Sequence, residues 1–160
     1  MRYLDTSAFI KYYSNEESEK GADKIKSIID DAKKSDEDNK ESKEILISSI
    51  LLIGESISVF DKWLRLKLIT KEEFNELLSV FLSDIKVLLN NKTLIFEELN
   101  SFMAVFCTDY IIKHNLTLND SLHLYAALLN KSELYDFICA DKNLINAAKK
   151  EGLNVSNPEE

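Results

Sequence analysis

Three glycines, Gly21, Gly54 and Gly152, are all that the 160-residue chain contains. Neither a phosphate-cradling P-loop nor a dinucleotide fingerprint can be built from them, since each needs several glycines within one short turn. Cysteine is as scarce. Cys107 and Cys139 stand far apart, with no metal-ligand spacing and no partners for a disulfide framework, so both are expected as small core residues of a protein in a reducing cytoplasm. No apolar run reaches the roughly 18 to 20 residues of a membrane span. The N-terminus also lacks a basic segment followed by an apolar one and a small-residue cleavage site, so no secretion signal is expected. Positive charge is short too: 20 Lys and Arg against 28 Asp and Glu leave a net charge of -8. A surface of that sign does not attract nucleic acid as a whole. An acidic cleft loaded with divalent cations would reverse the sign locally and recruit phosphate.

With 45% hydrophobic and 30% charged residues, the composition is that of a soluble globular protein, and the length suits a single domain over residues 1–160. Along the chain, short apolar runs alternate with helical stripes. "RYLD" reads as a first strand and "TSAFIKYY" as a helical turn or two, with Thr6 or Ser7 available as its N-cap. Ala22, Ile25, Ile28, Ile29 and Ala32 form a helical stripe, after which "SDEDNKESKE" has no apolar residue. That polar segment, about 34–44, reads as a solvated connection. "ILIS" is a second strand, and a helix follows whose apolar arc holds Leu52, Val59, Phe60 and Trp63. Thr70 and Glu73 form a capping-box pattern ahead of a stripe through Phe74, Leu77, Leu78, Phe81, Ile85 and Leu88. "TLIFEE" is a third strand, and "NDSLHLYAALL", apolar almost all round, is a buried helix with Asp120 in its first turn. "DFICAD" is a further strand, "KNLINAAKKEG" a helix stopped at Gly152, and "LNVSN" a last short strand. The alternation predicts an α/β fold with a mostly parallel sheet covered on both faces.

In such sheets ligands bind beyond the carboxyl ends of the strands, where strand order reverses. Asp5 and Asp141 end predicted strands, Glu55 lies in the helix after the second strand, and Asp120 starts the buried helix. All four could converge on one edge. Carboxylates gathered there would repel one another and lose hydration, an arrangement that makes sense when cations neutralise it, and magnesium or manganese suits an oxygen-only set. Such ions could activate a water toward a phosphodiester. Each residue also has a plain structural use. Asp141 could cap the next helix, Asp120 could favour a helix N-terminus, and Glu55 could pair with Lys62.

"YLDTSAFIKYYSNEESEKG", "ISSILLIGES", "LNDSLHLYAAL" and "FICADKNLINAAKKEGL", in that order, resemble the PIN-domain family of metal-dependent ribonucleases, especially the VapC-like toxins of toxin-antitoxin pairs. The resemblance spans nearly the whole chain. It implies a PIN-like three-layer α/β/α fold with a parallel sheet of four to five strands, and a Mg2+ or Mn2+ site at the carboxyl edge. It puts Asp5, Glu55, Asp120 and Asp141 in the role of metal ligands and catalytic carboxylates. Thr6 or Ser7 matches a family hydroxyl beside the first aspartate, and Asn143 is a candidate for a supporting contact. The activity implied is endoribonucleolytic cleavage by a metal-activated water, with a small antitoxin protein as partner and a homodimer as assembly. Two stretches, Asp30 to Glu44 and Lys71 to Asn90, are longer than the small toxins require. A PIN-fold binding or scaffold module without turnover and a housekeeping RNA-processing nuclease are the alternatives.

Lys11, Lys62, Arg65 and Lys142 could set positive charge around the carboxylate edge for RNA phosphates, or serve only solubility. Tyr12 and Tyr13 could line a partner surface, with core packing as the default. His123, three residues after Asp120, could join it in an iron site of the carboxylate-bridged kind, but no second such pair exists. A hydrogen-bonded core histidine is the preferred reading.

Overall fold

The computed structural model describes residues 1–14, 20–34 and 44–160. Most of the polar segment at 34–44 lies outside them. The chain runs β1 (Arg2–Leu4), α1 (Thr6–Phe9) continued by a 3-10 turn (Ile10–Tyr13), α2 (Ala22–Lys33), β2 (Leu46–Ser49), α3 (Leu51–Arg65) and α4 (Lys71–Asn90). It continues through β3 (Leu94–Glu97), α5 (Ser101–His114), α6 (Leu118–Leu129), β4 (Asp136–Ile138), α7 (Lys142–Lys150) and β5 (Val155–Ser156). The five strands form one all-parallel sheet in the order β3-β2-β1-β4-β5, flanked by helices in an α/β/α arrangement. Among the described residues no helix is long and apolar enough to cross a membrane.

The short strands β1, β2 and β4 are held because both of their faces are buried, and the period of two assigns alternate residues to two cores. Tyr3 pairs in register with Ile47 on one side and Phe137 on the other, and all three enter the core beneath α5, α6 and α7. Leu4, Leu46 and Ile138 point the opposite way, into the core shared with α1 to α4. There Phe9, Tyr13, Phe60 and Phe81 meet mostly edge to face, with ring centroids 5.5 to 6.2 Å apart, the geometry that aromatic quadrupoles favour. Tyr13 is therefore a core residue, and Tyr12 is half-buried with its hydroxyl donating to Asp30 at 2.7 Å. Cys107 and Cys139 are both free and buried.

Several local expectations match: the Thr70–Glu73 capping box is complete, and Gly152, at φ 77°, follows the last turn of α7. Others need correcting. The N-cap of α1 is Asp5, not Thr6 or Ser7. The strand ends one residue earlier than "RYLD" suggested, so the carboxylate stands at the cap position and accepts the Ser7 amide. Val59 is only partly buried, and Glu55 does not pair with Lys62; its partners lie across the sheet edge, on α1 and α6. β4 stops at Ile138, which leaves Asp141 three residues beyond the strand as the N-cap of α7.

From β1 the chain builds outward through β2 to β3, then returns to the other side of β1 with β4 and β5. The order reverses between β1 and β4, and there the helices that follow the two strands diverge and leave a crevice.

Candidate functional site

Asp5 reaches that crevice from the end of β1 and Asp141 from beyond β4, while Glu55 projects from the second turn of α3 and Asp120 from the first turn of α6. All four line one cleft of about 730 Å³, together with Thr6, Ser7, Ile10, Ile50, Leu51, Gly54, Ser58, Val59, Asn119 and His123. No Lys or Arg is among these residues.

Each carboxylate is tied down differently. Ser7 donates its amide, at 3.0 Å, and its hydroxyl, at 2.5 Å, to Oδ2 of the 4% exposed Asp5. The same hydroxyl oxygen accepts the Ala140 amide, which joins the two strand ends. Asp141 uses Oδ1 to accept the Leu144 amide, and Asp120 uses Oδ2 to accept the Thr117 hydroxyl. Glu55 differs from these, because both its oxygens are engaged. Oε2 accepts from Thr6 Oγ1 at 2.6 Å and from His123 Nε2 at 2.8 Å, and Oε1 accepts from Asn119 Nδ2 at 2.9 Å.

These surroundings set the charges. Burial opposes ionisation of Glu55, but the donors His123, Thr6 and Asn119 outweigh it and hold the carboxyl below its usual range. Burial likewise disfavours imidazolium at His123, yet Asp5 and the hydrogen bond to Glu55 prevail, and its pKa is raised. Asp120 goes the other way: burial pushes it up, the Thr117 hydroxyl resists, and the negative charges of Asp141 and Asp5 add to the rise. Burial and the charge of Asp5 raise the Cys139 thiol far above the range in which thiolate forms, so it is no nucleophile.

The donor set is compatible with magnesium or manganese. It is made of carboxylate oxygens, with hydroxyl and amide groups beside them, and Asp120 feels a repulsion from Asp141 and Asp5 that a cation would relieve. Among the described residues no three Asp, Glu, His or Cys side chains already stand together as a ligand cluster.

Of the supporting residues, Thr6 and Ser7 are in the cleft, each bonded to a different carboxylate. Asn143 is exposed on α7 and does not line it. None of the four basic candidates lines it either. Lys11 is 5% exposed and bound to Glu159 at 2.9 Å, which removes it from any phosphate-binding edge. Arg65 pairs with Asp61 one turn earlier on α3, and Lys62 is exposed on the same helix. Lys142, next to Asp141, is exposed at the start of α7. His123 is buried and hydrogen-bonded, as its core reading had it, with one partner in the core, Tyr3, and one in the cleft, Glu55. Asn119 was not foreseen at all. The available signal was polarity out of place: a His inside an apolar helix and a Tyr inside a buried strand must each find a partner.

Compared with known proteins, the chain matches no family model and no curated protein.

Proposed function

We propose that this protein is a magnesium- or manganese-dependent endoribonuclease of the PIN-like kind. The observation that carries the reading is the convergence of Asp5, Glu55, Asp120 and Asp141, from four separate elements, on one cleft that no Lys or Arg among the described residues lines. An oxygen-lined, anionic crevice at the switch point of a parallel sheet has no means of its own to attract a phosphodiester. A divalent cation bound there would supply the missing positive charge and ease ionisation of the attacking water. Asp5, Asp120 and Asp141 would hold it through the oxygens their present hydrogen bonds leave over. Glu55, kept ionised by three donors, fixes the wall opposite. Ser58 and Asn119 at the rim offer a hydroxyl and an amide to the substrate, and Lys142 offers a charge just outside. The toxin role, the small antitoxin and the homodimer rest on the sequence resemblance alone.

The test is cleavage of a mixed-sequence single-stranded RNA by purified protein with Mn2+, with Mg2+ and in excess chelator. Cleavage should require the metal and be lost in Asp5→Asn while the fold persists. Undiminished cleavage in chelator, or full activity of Asp5→Asn, overturns the proposal. One observation favours a second reading, a binding module without turnover: every carboxylate of the cleft already has a hydrogen-bond partner within the protein. Calorimetry separates the two, because no response to millimolar Mn2+ supports the module.

A further inference from the structure

From the core into the cleft runs a chain of hydrogen bonds that the nuclease reading leaves without a role. It starts at the hydroxyl of Tyr3, inside the core beneath β1. That hydroxyl lies 2.9 Å from Nδ1 of His123, whose Nε2 lies 2.8 Å from Oε2 of Glu55. Tyr3 is 0% and His123 1% exposed, so the links are protein to protein. The Glu55 end fixes the direction of every hydrogen in the uncharged chain, because a carboxylate can only accept. The imidazole hydrogen therefore sits on Nε2, aimed at Glu55, and Nδ1 accepts the hydrogen bond of the Tyr3 hydroxyl.

We propose that Tyr3 and His123 are positioning residues that hold the Glu55 carboxylate in one orientation on the cleft wall, facing the cation site. The inference rests on the reading of the cleft as a cation-dependent nuclease site. A histidine that merely filled the core would satisfy its nitrogens on nearby backbone. His123 spends both on side chains, with Oδ1 of Asp5 a further 3.6 Å neighbour of Nδ1. Tyr3 precedes Asp5 by two residues on β1, and His123 follows Asp120 by one helical turn on α6. The chain thus links the three elements that carry Asp5, Glu55 and Asp120. The chain holds Oε2 and Asn119 holds Oε1, so the protein, not the cation, sets the orientation of Glu55.

Two measurements decide it. Long-range nitrogen-proton NMR of the metal-free wild type, at the alkaline end of the His123 titration, should show the Nε2–H tautomer; a dominant Nδ1–H tautomer overturns the proposal. Calorimetry should then find Mn2+ bound about 10-fold more weakly by His123→Leu and by Tyr3→Phe, with recovery to within about threefold in His123→Gln, whose amide N–H can reach Glu55. Tyr3→Phe keeps its ring stacked on Phe137, 5.2 Å between centroids, and carries the test should His123→Leu fail to fold. Wild-type binding with both Tyr3→Phe and His123→Leu unchanged overturns the positioning role alone. Absence of Mn2+ binding by the wild type overturns the cleft reading and, with it, the cation-facing role.

Discussion

Glu55 and His123 respond to pH in opposite senses, and the signs give a window. His123, raised from 6.5, contributes stability that is complete below that value and is lost as pH rises through its folded-state pKa. Glu55, lowered from 4.5, contributes stability that is complete above that value and is lost as pH falls through its folded-state pKa. Both contributions are therefore whole between about 4.5 and 6.5. In urea unfolding the wild type should lose stability from pH 6.5 to pH 9, and His123→Gln should lose clearly less. Asp120 works against the fold. Raised from 3.8, it withdraws stability as pH climbs through its titration. Asp120→Asn, which keeps an acceptor for Thr117, should melt higher than wild type at pH 7 without metal and yet lack the rise in melting temperature that the proposed cation site would give the wild type in Mn2+. A variant that melts lower without metal would refute the repulsion between Asp120, Asp141 and Asp5. The carboxylates were legible in the sequence because each falls at a strand end or an early helical turn. The Tyr3–His123 link was not, since spacing along α6 carries no information about a hydroxyl 120 residues away on β1.

At the scale of elements, what the sequence showed best was what a few neighbouring residues decide. The capping box of α4 is contained in Thr70 to Glu73, so it could be read directly, and Thr70→Ala should cost about 1 kcal/mol. A denaturant midpoint lowered with unchanged slope, and unchanged RNA cleavage, would bear that out, because α4 lines no part of the carboxylate cleft. The cap of α1 was misassigned because it turns on where a three-residue strand ends, a boundary set by pairing with β2 and β4 rather than by local preference. Asp141 shows both uses at once. It caps α7 through one oxygen and lines the cleft. Asp141→Asn should stay within about 0.5 kcal/mol of wild-type stability while Asp141→Ala loses about 1 kcal/mol, since only the amide keeps the capping acceptor. Both should lose Mn2+ affinity, which separates the cap from the site.

Over the whole molecule, the period-two assignment of strand residues to two cores was latent in the sequence as short apolar runs, but the strand order was not. Alternation predicts a parallel sheet; nothing in it says that β1 ends up in the middle. The aromatic cluster of Phe9, Tyr13, Phe60 and Phe81 ties α1, α3 and α4 together beneath that sheet. Phe81→Ala should cost about 3 to 5 kcal/mol, a large share of what a domain of this size has, and would be seen as a collapse of the thermal midpoint.

The central place of β1 also has a consequence in time. Asp5 is fixed from one side by the hydrogen bond its amide donates to the Ile138 carbonyl and by Ser7, whose hydroxyl oxygen accepts the Ala140 amide. On the ribosome, β1 is made first and its neighbour β4 more than 130 residues later. The cleft therefore cannot close until nearly all of the described chain has been synthesised, so a nascent chain carries Asp5 and Glu55 through much of its synthesis before Asp120 and Asp141 exist to complete the cleft.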